Sequence, residues 1–355
     1  MNIEKNRLLI VAPYEDEDAF LSTMEHRLNA NVGLLNYKTN LAVSRGIWRR
    51  HFIIFMMAYK AFHKAADKDY ILFGEQFVGL YYALFCRLFF WRKTSAQSMV
   101  LQLIYNRKNG VPGIIYNSIY RWLIMTPELN FLTCHASLEK NYYSSEFGSI
   151  AGKKIYFIPF GRFAPIIDQA PFKPPQHRYF FSGGTSNRDY VTLIEAFRTI
   201  DSKLVIACHR NDIKGIQLPC NVEVFHDVFG TAFQDYISDA YAVILPILST
   251  DVSAGQLVLI DAMRLGKASI VTAGSCMEDY VDASCAISVR HKDIKTLCEA
   301  VKSLDVNDDL CRSLGNAARA RYKSNFTRQA FADRLCNVML SEIEPIMRNM
   351  DCVVS

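Results

Sequence analysis

The sequence predicts an α/β protein with two doubly wound parallel sheets, one in each half of the chain. Short apolar runs that end in glycine, proline or acidic residues alternate with longer helical patterns throughout. The 355 residues are enough for two ordinary domains. Because 50% of them are hydrophobic and only 21% are charged, each domain can bury a sizeable core.

The first half opens with RLLIVAPY, an apolar run over Arg7–Tyr14 that ends at a proline and an acidic cluster. It predicts a buried parallel strand, because strands covered on both faces are apolar without alternation. Two further strands are predicted by DYILFGE over Asp69–Glu75 and NFLTCH over Asn130–His135. The run KKIYFIPFG over Lys153–Gly161 closes this half, and helical stretches lie between the strands.

A proline-rich stretch at 162–178 separates the halves, since proline sustains neither a helix nor a central strand. We therefore predict an N-terminal domain at 1–165, a linker at 166–178 and a C-terminal domain at 179–327. In the C-terminal domain, strands are predicted at RYFFSGG, KLVIACH, NVEVFHD, YAVILPI and ASIVT, and a helix is predicted at DYVTLIEAFRTI. The segment 328–355, helical in pattern from Arg328 to Met350, predicts a C-terminal helix that packs back toward the N-terminal domain.

Composition and charge narrow the class of protein. The ten cysteines are scattered without CxxC pairs or Cys/His clusters, which predicts reduced thiols rather than a disulfide framework or a zinc site. The first apolar run is too short for a signal peptide, and no run reaches the roughly 18 residues that span a bilayer. The net charge of +5 is mild and no RNA-binding signature accompanies it, so no nucleic-acid partner is predicted. These features predict a cytoplasmic protein.

The loop FSGGTSNRDY, from Phe181 to Tyr190, follows a predicted strand and leads into a helix. Gly183 and Gly184 let the backbone approach a ligand closely, and the first amides of the helix favour an anion. Arg188 adds a positive charge that can grip phosphate oxygens. The loop predicts a diphosphate site, with a tight turn and a solvated arginine as the alternative. It is neither GxGxxG nor a Walker motif, which disfavours hydride transfer and ATP hydrolysis.

A second loop, LSTDVSAG, follows the strand YAVILPI and carries Gly255-Gln256 at the start of the next helix. Its amides can also point at an anion. Asp261 falls about a turn and a half into that helix, where a carboxylate at the mouth of a cleft can accept hydrogen bonds from both hydroxyls of a ribose. A buried carboxylate without such a partner would be costly. A surface-facing aspartate or a helix-dipole partner is the alternative.

The run GQLVLIDAMRLGKAS resembles the donor domain of GT-B glycosyltransferases, most closely glycosyltransferase family 4 (group 1). That family carries an acid, seven residues and a second acid, within a Gly-Leu-Val-Leu-Leu-Glu-Ala-Met-like helix followed by Gly-Lys-Pro. Asp261 stands at the second acid, which in the family binds the nucleotide ribose. The first acid falls on Ser253, a departure, and Asp251 two residues earlier is a candidate substitute. SGGTSNRDYVTLIEAF resembles the family's other donor motif, and Arg188 matches the basic residue that neutralises the diphosphate.

The resemblance implies a GT-B architecture, with two Rossmann-like domains facing across a cleft. It also implies retaining transfer of a sugar from a nucleoside-diphosphate donor, without a metal ion or a tightly bound cofactor. Positive charge and helix N-termini stabilise the leaving diphosphate in such enzymes. The predicted donor-binding residues are Gly183, Gly184, Arg188, Ser253, Ala254, Gly255, Gln256 and Asp261, with His226 beside the nucleotide base. The acidic run Glu15–Asp18 predicts a solvated loop rather than a metal site.

No catalytic base stands out in the sequence. Glu75 lies at the carboxyl end of a predicted strand and is a candidate acceptor-side catalytic group. Ser253 and Asp251 are the other catalytic candidates. His135 ends a strand and is predicted to be structural.

Basic residues lie beside large apolar ones at helical spacing in SRGIWRRHFIIFMMAYKAFHK, YYALFCRLFFWRKTS and NSIYRWLIM. This mixture suits the surface of an anionic bilayer. Core helices whose charges extend to solvent are an equal alternative. We predict a sugar transferase in surface polysaccharide or glycolipid assembly, working at the inner face of the membrane on a saccharide or lipid-linked saccharide acceptor.

Two other functions remain open from the sequence. One is a nucleotide-sugar epimerase of the same fold, which would need acid and base groups on both sides of the sugar ring. The other is a non-catalytic protein that binds a nucleotide sugar, which the missing acid at Ser253 would fit.

Overall fold

The computed structural model of the protein describes residues 5–13, 18–37, 47–92, 94–162 and 178–341. The chain divides into two compact units: unit 1 runs to Ile158 and resumes at Phe331, and unit 2 covers Pro159–Ala330. The predicted linker at 166–178 lies outside the described residues apart from Arg178, and it stays a prediction.

Unit 1 is a six-stranded parallel sheet with helices between the strands, in the order β2-β1-β3-β4-β5-β6. Its elements are β1 (Asn6–Ala12), α1 (Asp18–Leu28), β2 (Ala30–Asn36), α2 (Ile47–Lys64), β3 (Tyr70–Phe73), α3 (Gln76–Leu88), β4 (Gln97–Val100), α4 (Gly110–Ile124), β5 (Phe131–Cys134), α5 (Ser137–Gly152) and β6 (Ile155–Phe157). Helix α5 is kinked at Gly148, which has a φ of 80°.

Both faces of the unit 1 sheet are buried, which explains the continuous apolar runs of its strands. In β1, Leu9 and Val11 enter the core on one face, and Leu8 and Ile10 enter the core on the other. This is the two-residue alternation of side chains along a strand, with helices covering each face. The core that contains Leu8 and Ile10 also contains Phe331 and four other buried residues from the helix that ends the described chain.

Unit 2 is also a six-stranded parallel sheet, in the order β12-β11-β10-β7-β8-β9. Its elements are β7 (Tyr179–Gly183), α6 (Tyr190–Phe197), β8 (Lys203–Cys208), β9 (Val222–His226), α7 (Gly230–Asp239), β10 (Ala242–Leu245), α8 (Gln256–Arg264), β11 (Ala268–Thr272), β12 (Ile287–Val289), α9 (Ile294–Asp305) and α10 (Asp308–Asn325). Helix α11 (Arg328–Ser341) begins in unit 2 and continues into unit 1. The strand order reverses between β7 and β10, and such a switch point opens a crevice at the carboxyl ends of the strands.

The predicted strands form, with ends that differ by a few residues. The sequence did not predict β2, β4 and β12. β2 is half exposed along its length, β4 is the four residues QSMV, and β12 has only three residues. None of the three therefore carries a long apolar run. None of the helices in the described ranges combines the length and hydropathy that crossing a bilayer requires.

Candidate functional site

Two loops of unit 2 meet at the switch point of its sheet. One follows β7 and the other follows β10, and these two strands are parallel neighbours, so both loops leave the same edge. Asn187 ties the loops together. Its side-chain amide donates to the Ser249 carbonyl at 2.7 Å, and its side-chain oxygen accepts from the Ser249 amide at 2.9 Å. This clamp fixes the loop after β10 against the loop after β7.

Arg188 lies between glycines of the two loops. A Cβ atom built on Gly184, where φ is 115°, would lie 2.7 Å from Nη2 of Arg188. One built on Gly255, where φ is 96°, would lie 3.5 Å from Nη1 and would collide with Met277. Both positions therefore need glycine, for backbone conformation and for room. The predicted grouping of these residues is thus present in the structure.

The Arg188 guanidinium is held by backbone carbonyls and by no carboxylate within the described residues. Nε donates to the Gly183 carbonyl at 3.1 Å, and Nη1 donates to the Ser186 carbonyl at 2.7 Å. Burial lowers the pKa of Arg188, because removing water disfavours the charged form. This partly buried cation has no counter-charge and lies beside the first turn of α8. The cation and the helix N-terminus together favour the binding of an anion such as a phosphate.

Asp261 lies where the sequence predicts, in the second turn of α8, but its side chain is only 4% exposed. Nε of Arg162 donates to Oδ1 at 3.0 Å, and Nη2 lies 2.9 Å from Oδ2. Nε of Arg264 lies 3.7 Å from Oδ1. Two guanidinium groups therefore surround one carboxylate, and both carboxylate oxygens are already occupied.

A cleft of about 250 Å3 opens at these loops and extends beside the ends of β8 and β9. Its lining includes Gly184, Arg162, Cys208, Asp227 and Phe229. Arg162 borders the cleft whereas Asp261 does not, so a ligand in the cleft meets the arginine first. Phe229 is largely exposed and offers an apolar ring face on which a flat ring could stack.

No protein-family model and no curated protein matches the chain. Solved structures do match it over nearly their whole length. HepE from Anabaena, crystallised with UDP and glucose, has 11% sequence identity and a TM-score of 0.66, covering 95% of this chain and 100% of HepE. Sucrose-phosphate synthase from Thermosynechococcus elongatus has 14% identity and a TM-score of 0.68, covering 96% and 100%. WaaG, a glycosyltransferase involved in lipopolysaccharide biosynthesis, has 11% identity and a TM-score of 0.61, covering 93% and 99%.

The chain has the GT-B fold. The predicted fold class, with two Rossmann-like parallel-sheet domains, is confirmed.

The other predicted donor residues of the GT-B chain lie around the start of α8. Ser253 accepts a hydrogen bond from the side chain of Gln256, and Ala254 is buried. Asp251 is exposed on the loop. His226 ends β9, where one ring nitrogen lies 3.0 Å from the Cys208 carbonyl, and it is not part of the cleft lining. The roles of these residues stay predictions.

Glu75 is in unit 1 of the GT-B chain and follows β3, next to the strand-order reversal between β1 and β3. Its carboxylate is paired with Arg50 and accepts a hydrogen bond from the Tyr37 hydroxyl at 3.3 Å. His135 is buried, and its Nδ1 lies 2.8 Å from the Ile158 carbonyl. Glu75 therefore lies at a strand end as predicted, and its catalytic role stays a prediction.

Among the described residues no group of three or more His, Cys, Asp or Glu could hold a metal ion, and metal independence also stays a prediction.

Arg162 and Asn187 contribute to the site, and the sequence did not predict either of them. Arg162 comes directly after the strand-like run KKIYFIPFG, but β6 ends at Phe157 and belongs to the unit 1 sheet, so no local pattern places Arg162 beside Asp261. By sequence it falls in the predicted N-terminal domain 1–165, beside the proline-rich linker. Asn187 has a φ of 55°, and asparagine tolerates this left-handed conformation better than most residues. Its clamp on Ser249 joins residues 62 positions apart, which no local pattern indicates.

Proposed function

We propose that this protein is a glycosyltransferase that moves a sugar from a nucleoside-diphosphate donor to a saccharide or lipid-linked saccharide acceptor. The observation that carries the proposal is Arg188, a cation without a carboxylate partner in the described residues, held between two glycine-bearing loops at the switch point. The match to HepE crystallised with UDP and glucose supports the same donor class.

The site offers what the departure of a nucleoside diphosphate requires. Negative charge grows on the diphosphate as the sugar leaves, and Arg188 with the first amides of α8 would stabilise that charge. These donors are held by the fold before the ligand arrives, so little reorganisation accompanies the reaction. The cleft beside Phe229 would take the nucleotide base. We propose retention of configuration and independence of metal ions on the resemblance to family 4 alone.

Product analysis tests this function. The purified protein is first screened with UDP-, GDP- and ADP-sugars for thermal stabilisation, since a ligand that binds only the folded state raises Tm. The best donor is then incubated with saccharide or lipid-linked acceptors, and free nucleoside diphosphate is measured. Release that depends on acceptor supports transfer. An isomerised donor sugar without net release would indicate an epimerase instead, and binding without either product would indicate a non-catalytic protein.

We further propose that unit 1 works at an anionic membrane surface. A lipid-linked acceptor would require this location, and so would a role in glycolipid or surface polysaccharide assembly. Helix α4 supports this, because it leaves Val111, Ile114, Ile115, Ile119 and Trp122 exposed at helical spacing. We call these five residues the α4 stripe. Soluble surfaces rarely expose so continuous an apolar row. The exposed cations Lys108 and Arg121 flank it, which suits anionic lipid headgroups.

Vesicle binding tests the membrane proposal. The protein is expected to co-sediment with phosphatidylglycerol vesicles, less with phosphatidylcholine vesicles, and less as salt screens the charges. Ile115→Glu/Ile119→Glu is expected to abolish sedimentation. Val306→Glu is the matched control, because Val306 is 85% exposed and belongs to unit 2 rather than unit 1. Equal sedimentation of the stripe variant and the control would contradict the proposal.

A further inference from the structure

Arg162 covers the carboxylate that the family resemblance assigns to the ribose. Its Nε and Nη2 lie 3.0 and 2.9 Å from the two oxygens of Asp261, which is 2% exposed. Arg162 itself borders the cleft. Its own position is set by the backbone, because its amide donates to the Phe326 carbonyl at 3.0 Å. A ligand that enters the cleft therefore meets the guanidinium group rather than the carboxylate.

A neutral ribose is a poor competitor for this carboxylate. Breaking a buried ion pair leaves an uncompensated charge. A ligand that had to break the pair would therefore bind more weakly, by roughly a hundredfold to a thousandfold or more. Two hydroxyl groups can replace the hydrogen bonds but bring no positive charge, and hydrogen bonds between neutral and charged groups are weaker than those between two ions. The pair between Arg162 and Asp261 is therefore expected to persist when a nucleotide binds.

The cluster also carries excess positive charge. Arg162 and Arg264 contribute two positive charges, and Asp261 contributes one negative charge. Within the described residues, Nη1 of Arg162 has no hydrogen-bond partner, since its contacts with Asp261 use Nε and Nη2. An anionic oxygen suits this unused donor better than a neutral one.

The cleft brings this group near the diphosphate site. Gly184 lines the same cleft as Arg162, and the guanidinium of Arg188 lies against Gly184. We propose that Arg162 is a second direct contact to the donor diphosphate, with Asp261 as the positioning residue that holds it. This inference rests on the proposed function, because it assumes a nucleoside-diphosphate donor. It differs from the family resemblance, which implies that Asp261 contacts the ribose.

Comparing a nucleoside diphosphate with its nucleoside tests the inference. UDP with uridine, GDP with guanosine and ADP with adenosine are the probes, with calorimetry for the diphosphates and saturation-transfer NMR for the nucleosides. Arg162→Ala is expected to weaken diphosphate binding by about 10-fold or more and to change nucleoside binding by less than about 2-fold. Asp261→Asn is expected to weaken diphosphate binding while leaving the nucleoside unaffected, because it only loosens Arg162.

Two further variants separate binding from folding. Arg162→Ala/Asp261→Ala removes both charges of the pair, leaves no orphaned carboxylate, and is expected to show the same selective loss. Arg178→Ala is the matched control. It breaks another arginine–aspartate pair of unit 2, in which Nη2 lies 2.9 Å from Asp308, and it is expected to leave both affinities unchanged.

Different results would overturn different claims. If the Asp261 variants weaken uridine as much as UDP, then Asp261 holds the ribose and the inference is wrong. If Arg162→Ala tightens UDP, then Arg162 blocks the site, and unchanged binding means that it makes no contact; either result overturns the inference alone. If the unmodified protein binds none of the diphosphates, the proposed function fails and the inference fails with it.

Discussion

Replacement of Arg188 by alanine is the most direct perturbation of the proposed site. The guanidinium has two hydrogen bonds, to the carbonyls of Gly183 and Ser186, and no carboxylate partner within the described residues. Its removal therefore strands no opposite charge, and the stability of the ligand-free protein should change by only about 1 to 2 kcal/mol. Most of the effect is expected in nucleotide binding.

The size of that effect follows from the contact that is lost. A hydrogen bond to a charged group contributes roughly 1.5 to 3 kcal/mol, so binding should weaken by about 10- to 150-fold. Nucleoside diphosphate at about one hundred times the Kd stabilises the unmodified protein by about 2.7 kcal/mol. The same concentration should stabilise the variant by only about 0.3 to 1.4 kcal/mol. For a unit of this size, the Tm shift should fall from about 5–10 °C to about 1–5 °C.

Thermal unfolding with and without nucleoside diphosphate measures this change. Arg198→Ala is the matched control, because Arg198 follows α6 in the same unit and makes exposed contacts with Glu195 and the Gln217 carbonyl. The control should keep the full ligand shift. A full shift in Arg188→Ala as well would refute the diphosphate site, whatever the transfer assay gives.

Three other perturbations have defined outcomes. Asp261→Ala should lower the free energy of unfolding by about 3–5 kcal/mol in urea, because it leaves the buried guanidinium of Arg264 and the partly buried guanidinium of Arg162 without their carboxylate. A loss below about 1 kcal/mol would mean that the ion pair is not formed. Gly184→Ala should weaken nucleotide binding, because its Cβ would displace the guanidinium that lies against it. Gly215→Ala is the matched control, because Gly215 has a φ of 82° and open space around it; alanine there should lower stability but leave nucleotide binding unchanged. Equal losses of nucleotide binding in the Gly184 and Gly215 variants would contradict a role for the Arg188 guanidinium. Iodoacetamide at pH 8 should alkylate exposed Cys220 before Cys208, because burial raises the pKa of the Cys208 thiol to about 12; peptide mass spectrometry would reveal the reverse order.

The fold class could be predicted because buried parallel strands leave a local signal. Runs such as RLLIVAPY are apolar because both faces of β1 are covered, and this depends little on what covers them. The edge strand β2 gave no such signal, because half of it is exposed to solvent. Its pairing with β1, from Asn6 opposite Ala30 to Ala12 opposite Asn36, is a property of the folded sheet rather than of the segment.

The candidate site was only partly predictable, because the sequence indicates local spacing but not the pairing of residues that are distant in the chain. The positions of Gly255 and Asp261 relative to α8 follow from local spacing, and the structure agrees with both. The partner of Asp261 did not follow, because Arg162 lies 99 residues away in the chain.

The sequence by itself determined that the chain alternates strands and helices in two halves, and that a glycine loop, an arginine and a helical aspartate follow strands of the second half. Those features are encoded within segments of ten to twenty residues, where side-chain period and backbone freedom decide the outcome. Only the tertiary structure decided the strand order, and with it which loops share an edge of the sheet. It also decided that Arg162 closes over Asp261 and leaves Arg188 without a carboxylate among the described residues. Pairing of distant charges depends on which segments the packed core brings together, and no local spacing carries that information.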